Sequence, residues 1–262
     1  MQTFSTLKSN FIFSMIFSLI LLPSCGQKPA EITIKEEPSE VKTVDPSTIQ
    51  GTNISGTVNF SGTPPESKKV KMGGNPECAF HNITDAGDVL INNGKVQNAF
   101  VYIKEGLRSE ELFAIPTEPV VIKNYRCLYE PRVVGVQAGQ PVQLLNSDPT
   151  LHNIHAVTKI NKAFNVGLPM AGSKAVKKFD QPEVMVSMKC DLHSWMQGWV
   201  GVVNHPYFAI TDSEGYFELK NVPRGNYIIE VWHERLGTFT QSVEVADSPA
   251  DLTLNFPIPA AS

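Results

Sequence analysis

Little in this chain reads as helix, as cation or as membrane span. Lys and Arg number 22 against 26 Asp and Glu, a formal charge of −4 with no basic cluster, which argues against nucleic acid as a partner. The longest apolar run, residues 11–22, is too short to cross a bilayer as a helix. Helix-period patterning is nearly absent, and only 106–113 suggests a helical turn. There are four cysteines, Cys25, Cys78, Cys127 and Cys190, so each one needs its own explanation.

The run 11–22 stands behind a single Lys8 and ahead of Leu22-Pro23-Ser24-Cys25-Gly26. That layout suits the apolar core of a secretory signal rather than a span. The tetrad ending in Cys25 resembles a bacterial lipobox, which implies a signal peptide at 1–24, lipidation of Cys25 and a membrane anchor. The expected location is the bacterial cell envelope, facing the periplasm or the cell exterior. Residues 25–50 turn to Lys, Glu, Pro, Ser and Thr without apolar period, as a flexible tether does.

From Ser55 onward, short β-type runs alternate with Gly, Pro, Asn and Asp. Runs at 56–60, 99–103, 120–123, 132–136, 142–145, 184–188 and 199–203 continue at 208–211, 216–219, 227–232 and 240–245. Many short strands with regular turn signals predict an all-β fold built of sandwiches. Residues 118–205 hold every motif with metal chemistry and form one expected domain. Residues 206–262 carry Asp212-Ser213-Glu214-Gly215 and Pro223-Arg224-Gly225-Asn226-Tyr227. These turns resemble the second half of carboxypeptidase regulatory-like, transthyretin-type sandwiches, whose first half would lie in 51–117. The 118–205 domain is then expected as an insertion into a discontinuous second sandwich, with two loosely packed consecutive domains as the alternative.

The chemistry concentrates in Cys190-Asp191-Leu192-His193-Ser194-Trp195-Met196. Val184, Val186, Met188 and Cys190 alternate with more polar positions, which predicts a strand that turns Cys190 inward. His193 and Met196 follow in a tight loop, so thiolate, imidazole and thioether can converge. That mixture of soft and borderline donors favours copper, in a trigonal two-histidine, one-cysteine site with a weak axial methionine. Zinc would find Met196 a poor ligand. A second imidazole is still needed, and Asn146 to His155 offers His152 and His155. Three apart on a strand, they face opposite sides, and periodicity alone does not choose between them.

The block 131–203 resembles the cupredoxins, their amicyanin branch most closely. The likeness rests on Pro131, Val134, Val136, Gly139, Asn146, His152-Asn153-Ile154-His155, Cys190-x-x-His193-x-x-Met196 and Gly198. The His193–Met196 spacing is that of amicyanin rather than the longer plastocyanin loop. The resemblance implies a Greek-key β-sandwich holding one type 1 copper ion through His152, Cys190, His193 and Met196. It also implies that Asn153 bonds across to the cysteine loop. His193 is expected at the solvent edge, where a redox protein partner would dock.

The resulting expectation is a one-electron carrier and not an enzyme. A trinuclear centre would need histidine-rich pairs that are missing, and a binuclear one would need a second cysteine in the loop. A copper-handling or copper-sensing protein could use the same ligands, and a surface-interaction module with a non-redox metal site is a further alternative. Three cysteines remain after the lipobox, an odd count. Cys78 and Cys127 are expected as a disulfide, with Cys190 kept reduced by its metal.

Overall fold

The computed structural model describes residues 43–108, 112–246 and 252–259. The expected signal peptide, Cys25 and most of the expected tether lie outside them. In chain order come β1 (Thr52–Ser61), β2 (Ile91–Asn92), β3 (Lys95–Val96), β4 (Phe100–Glu105), β5 (Val120–Tyr125) and β6 (Leu128–Glu130). Next are β7 (Val133–Gln137), β8 (Val142–Asn146), β9 (His152–Val157), β10 (Phe164–Leu168), β11 (Lys174–Lys177), β12 (Glu183–Lys189) and β13 (Gln197–Val203). The last are β14 (Phe208–Ile210), β15 (Tyr216–Val222), β16 (Gly225–His233), β17 (Gly237–Val245) and β18 (Leu252–Pro259). The fold is all-β, and the one α-helix among the described residues is the single turn α1 (Pro76–Ala79).

Four sheets make two sandwiches. One pairs the order β10-β9-β12-β13-β7 with β11-β8-β5-β6 over a shared core that includes Ile122, Leu144, Ile154, Val186, Met188 and Val200. In it the chain crosses repeatedly between sheets, and β7 lies parallel to β13 as β5 does to β8. The other sandwich pairs β15-β1-β3-β2, with β18 beside β1, against β14-β4-β16-β17, around Ile54, Val58, Ile103, Phe217, Ile229 and Val231. The chain therefore starts the outer sandwich with β1–β4, builds the inner one with β5–β13 and returns to finish the outer one. Period-two burial explains each layer: β1 buries every second residue from Thr52 to Phe60, and β8 buries Val142, Leu144 and Asn146.

The turns of the outer sandwich close as their sequences dictate. The Asp212 carboxylate accepts the N–H groups of Glu214 (2.8 Å) and Tyr216 (2.9 Å), and Gly215 adopts φ +65. The Tyr227 hydroxyl donates back to the Pro223 carbonyl at 2.9 Å.

Two expectations need correction. Residues 106–113 form no helical turn in their described part. Phe113 instead bridges to Val44, because Leu107 and Phe113 both find places against the outer core. The described end of the expected tether is also structured: Asp45 caps a 3₁₀ turn at Pro46–Thr48, and Ile49 packs on the same core.

The sandwiches meet face to face. Gly135 and Gly201 sit opposite each other on β7 and β13, and their bare backbone makes a slot for the Phe100 ring of β4. Trp199 of β13 meets Trp232 of β16 with ring centroids 5.1 Å apart. Beside them Arg132 donates to Glu234 (2.9 Å), the Ala86 carbonyl (2.9 Å) and the Gln197 carbonyl (3.2 Å), which ties three segments together.

Val70, Met72, Cys78 and Ala86 leave the outer sandwich altogether and join the inner core. A disulfide between Cys78 and Cys127 (Cα–Cα 5.6 Å, 49 residues apart) fastens this segment. Closing a loop of that size contributes ~4 kcal/mol on a chain-entropy estimate.

Candidate metal centre

Strand β12 directs Val186, Met188 and Cys190 inward, and Cys190 is 4% exposed. Past it, the Met196 N–H donates to the His193 carbonyl (2.9 Å) and the Cys190 N–H to the Met196 carbonyl (3.3 Å). The loop closes on itself and brings His193 back over Cys190. The Met196 side chain is buried in the same core as Cys190.

His152 opens β9 and is fully buried. Its Nε2 lies 2.9 Å from Asp148 Oδ2. Asp148 is itself fixed: it accepts the N–H groups of Arg126 (2.7 Å) and Cys127 (2.9 Å), both in the left-handed region at the β5–β6 turn. A carboxylate only accepts, so Nε2 of His152 carries a hydrogen, and in the neutral ring Nδ1 keeps its lone pair. That Nδ1 is 3.0 Å from Nδ1 of His193, which in turn is 3.7 Å from Cys190 Sγ. One donor atom from each of His152, Cys190 and His193 lies within 4.8 Å of the others. His155, on the opposite face of β9, bonds instead to Asp191 at 3.1 Å.

Asn153 ties β9 to the cysteine loop. Its Oδ1 accepts from the Asp191 N–H (2.9 Å) and the Cys190 thiol (3.2 Å), and its Nδ2 donates to Asp191 (3.0 Å) and Asn165 (2.7 Å).

The local field favours a thiolate. Burial pushes the Cys190 thiol up, but its bond to His152 and the nearby backbone N–H groups outweigh this and lower its pKa. Burial likewise opposes charge on His152, yet Asp148 and Cys190 raise its pKa. His193 is lowered by burial and by the neighbouring His152.

One expectation about His193 is not met, since its edge does not reach solvent and the residue is 4% exposed. The disulfide holds α1 over it, so that Nε2 lies 2.9 Å from Asn75 Nδ2 and 3.9 Å from Cys78 Sγ. Trp195 covers another side at 5.1 Å between centroids and donates its indole N–H to the Cys127 carbonyl (3.0 Å). A second cluster of donors, Cys127, Asp148 and His152, has its sulfur committed to the disulfide. Sequence reasoning passed over Asp148 and Asn75. Asp148 had a signal, a carboxylate a few residues ahead of a candidate histidine. Asn75 had only an Asn-Pro helix start, with nothing to connect it to His193.

No protein-family model matches the chain, and no curated protein matches its sequence. Among solved structures, a Cu-containing nitrite reductase from Thermus scotoductus SA-01 is similar over 36% of this chain at 19% identity, with a TM-score of 0.32; the chain spans 24% of that protein. A purple cupredoxin from Nitrosopumilus maritimus is similar over 32% of this chain and 98% of its own, at 22% identity and a TM-score of 0.28. An oxidized amicyanin mutant is similar over 39% of this chain and 97% of its own, at 22% identity and a TM-score of 0.30.

Proposed function

We propose that the inner sandwich holds one type 1 copper ion and that the protein carries single electrons. The observation that supports this most is the convergence of Cys190 Sγ, His152 Nδ1 and His193 Nδ1 in a buried pocket whose field lowers the thiol pKa. A thiolate with two imidazoles fits copper in both oxidation states, and Met196, the remaining soft donor of the loop, would be a further, weaker ligand. Copper bound there would supply a reversible one-electron couple.

The chain's own residues do the rest. Asp148 holds the His152 ring with its Nδ1 lone pair free. Asn153 restrains the cysteine loop, and the β-sandwich keeps the donors in place whichever oxidation state is present. No substrate bond is made or broken. A copper-delivery role would need a ligand within reach of an acceptor, whereas His152, Cys190 and His193 are all at least 96% buried. A redox protein partner would dock near His193, on the surface around Leu151 and Leu192, which are 45% and 55% exposed. Lipidation at Cys25 would hold the carrier to a bacterial envelope membrane, and the outer sandwich would be a regulatory-like module. The Asp212 and Tyr227 turns support that last assignment.

Adding one equivalent of Cu(II) to the reduced apoprotein tests the reading. An intense thiolate-to-copper absorption, bleached reversibly by a reductant and missing in Cys190→Ala, is expected. A folded, copper-loaded protein without that band would overturn it.

A further inference from the structure

Because the ring of His193 is buried, an electron that reaches or leaves the centre has to cross what covers it. Trp195 is the aromatic member of that cover. Its indole lies 5.1 Å from the imidazole between centroids, is pinned by its N–H to the Cys127 carbonyl (3.0 Å) and is only partly buried. Two surface hollows meet on it. One runs on to Leu151 and Leu192, the other to Lys68 and Lys69, and Lys71 lines both.

The backbone sets the lysines there. The Val70 N–H donates to the Thr84 carbonyl (3.0 Å) and the Ala86 N–H to the Lys68 carbonyl (2.9 Å), which holds residues 68–72 extended. Val70 and Met72 enter the inner core, so Lys69 and Lys71 between and beside them face out. Lys69 lies 3.7 Å from Asp85, whereas Lys68 and Lys71 have no acidic partner among the described residues. Arg132 reaches the second hollow but is committed to Glu234. No Asp or Glu lines either hollow, and the exposed Glu77 of α1 stands outside both. A chain of formal charge −4 thus turns a positive face outward beside its candidate metal centre.

We propose that this face, with Trp195 at its centre, receives an acidic redox protein: carboxylates of the partner meet Lys68 and Lys71 while its redox centre approaches the indole. The proposal rests on the copper reading above. Residues 68–72 lie outside the block 131–203 that resembles the cupredoxins, so the likeness itself says nothing of them. One electron passes between the two redox centres, no bond forms or breaks, and Trp195 is packed matter through which it tunnels rather than a carrier. Charge of this kind speeds encounter and fixes orientation more than it adds affinity. An anionic membrane seated on the same lysines would shut the partner out.

Binding is tested first on the metal-free protein, with hexaglutamate as the probe. In ¹⁵N–¹H spectra the amides of 68–72 and the Trp195 indole N–H should shift, and the shifts should vanish at high salt and in a Lys68→Gln, Lys71→Gln double variant. The copper-loaded, reduced protein is then mixed with ferricyanide, an anionic one-electron oxidant. Its rate should fall as salt is added and should be about tenfold lower in the double variant at low salt. The cationic oxidant tris(phenanthroline)cobalt(III) should show no such loss. Trp195→Leu should slow both oxidants, and Trp195→Phe, which keeps a ring against His193, should recover much of the rate with the copper–thiolate band unchanged.

A ferricyanide rate that rises with salt, as the net charge of −4 alone dictates, would overturn the docking surface. So would hexaglutamate shifts that leave 68–72 untouched, or rates in both Trp195 variants equal to the wild type. Binding of these lysines to phosphatidylglycerol vesicles without any response to hexaglutamate would assign them to a membrane and overturn it as well. Hexaglutamate shifts as expected, in a protein that develops no copper–thiolate band, would instead sink the copper reading and the electron-transfer role with it.

Discussion

Asn153 spends one amide on four hydrogen bonds, two of them to Asp191, one to Cys190 and one to Asn165. Its Oδ1 holds the Cys190 sulfur and the Asp191 N–H at once, so Asn153→Ala loosens the loop at the residue that carries the thiolate. We expect a loss of about 0.5–1.5 kcal/mol in urea unfolding, the net worth of a hydrogen bond, since Asp191 and Asn165 can turn to water and only Cys190 is buried, together with a broadened copper–thiolate band. An unchanged band and midpoint would show that the loop closes without it. Of the expected donors, the fold brings His152, Cys190 and His193 together; the last two were legible because they share one loop, and His152 because the resemblance singled it out. Choosing His152 over His155 needed more than periodicity, and the deciding contact is the Asp148 carboxylate. The cover over His193 was not legible, since Asn75 is 118 residues away and reaches the ring only because a disulfide and a helix cap place it there.

Among the elements, most strands with one buried face announced themselves, the edge strands β7, β14 and β17 included. β8 buries Val142, Leu144 and Asn146 and β12 buries Val186 and Met188 in alternation, whereas β10 and β11 are only five and four residues long; β10 alternates Phe164, Val166 and Leu168 with Asn165 and Gly167, a readable pattern that sequence reasoning passed over. Glycines within β7 and β13 give no strand signal, yet they set the junction of the two sandwiches. A Cβ on Gly201 would lie 2.5 Å from Phe100 Cζ, and one on Gly135 would lie 2.9 Å from Phe100 Cε2. The ring is fully buried and has nowhere to retreat. Gly201→Ala is therefore expected to destabilise by about 1–3 kcal/mol through overpacking. Adding Phe100→Leu should recover part of that loss, and a double-mutant cycle on unfolding midpoints reads the coupling. Additive losses would place the strain of the alanine elsewhere than on this ring.

Two buried histidines make the stability of the whole molecule depend on pH. His205 sits where the chain passes from β13 of the inner sandwich to β14 of the outer one. It donates from Nε2 to the Ile103 carbonyl (2.9 Å) and accepts the Tyr207 N–H at Nδ1 (3.2 Å). His233, at the end of β16 beside the Arg132–Glu234 pair, accepts the Arg235 N–H at Nδ1 (3.2 Å). Burial lowers both from 6.5 to about 4. A proton on either Nδ1 would remove the acceptor that its neighbour's N–H uses. Between pH 6.5 and about 4 the unfolded chain binds protons that the folded chain refuses, so stability falls as the pH falls through that window. Each histidine contributes about 3 kcal/mol to the loss by its lower end, at roughly 1.4 kcal/mol per pH unit. Below it, Asp88, Asp148 and Glu183, all held under their usual carboxylate range despite burial, begin to take up protons and add a second decline. Urea midpoints measured across this range should drop steadily on acidification. A His205→Gln, His233→Gln double variant should start less stable at neutral pH and lose most of the slope down to pH 4. The same slope in the variant would assign the acid sensitivity to other groups.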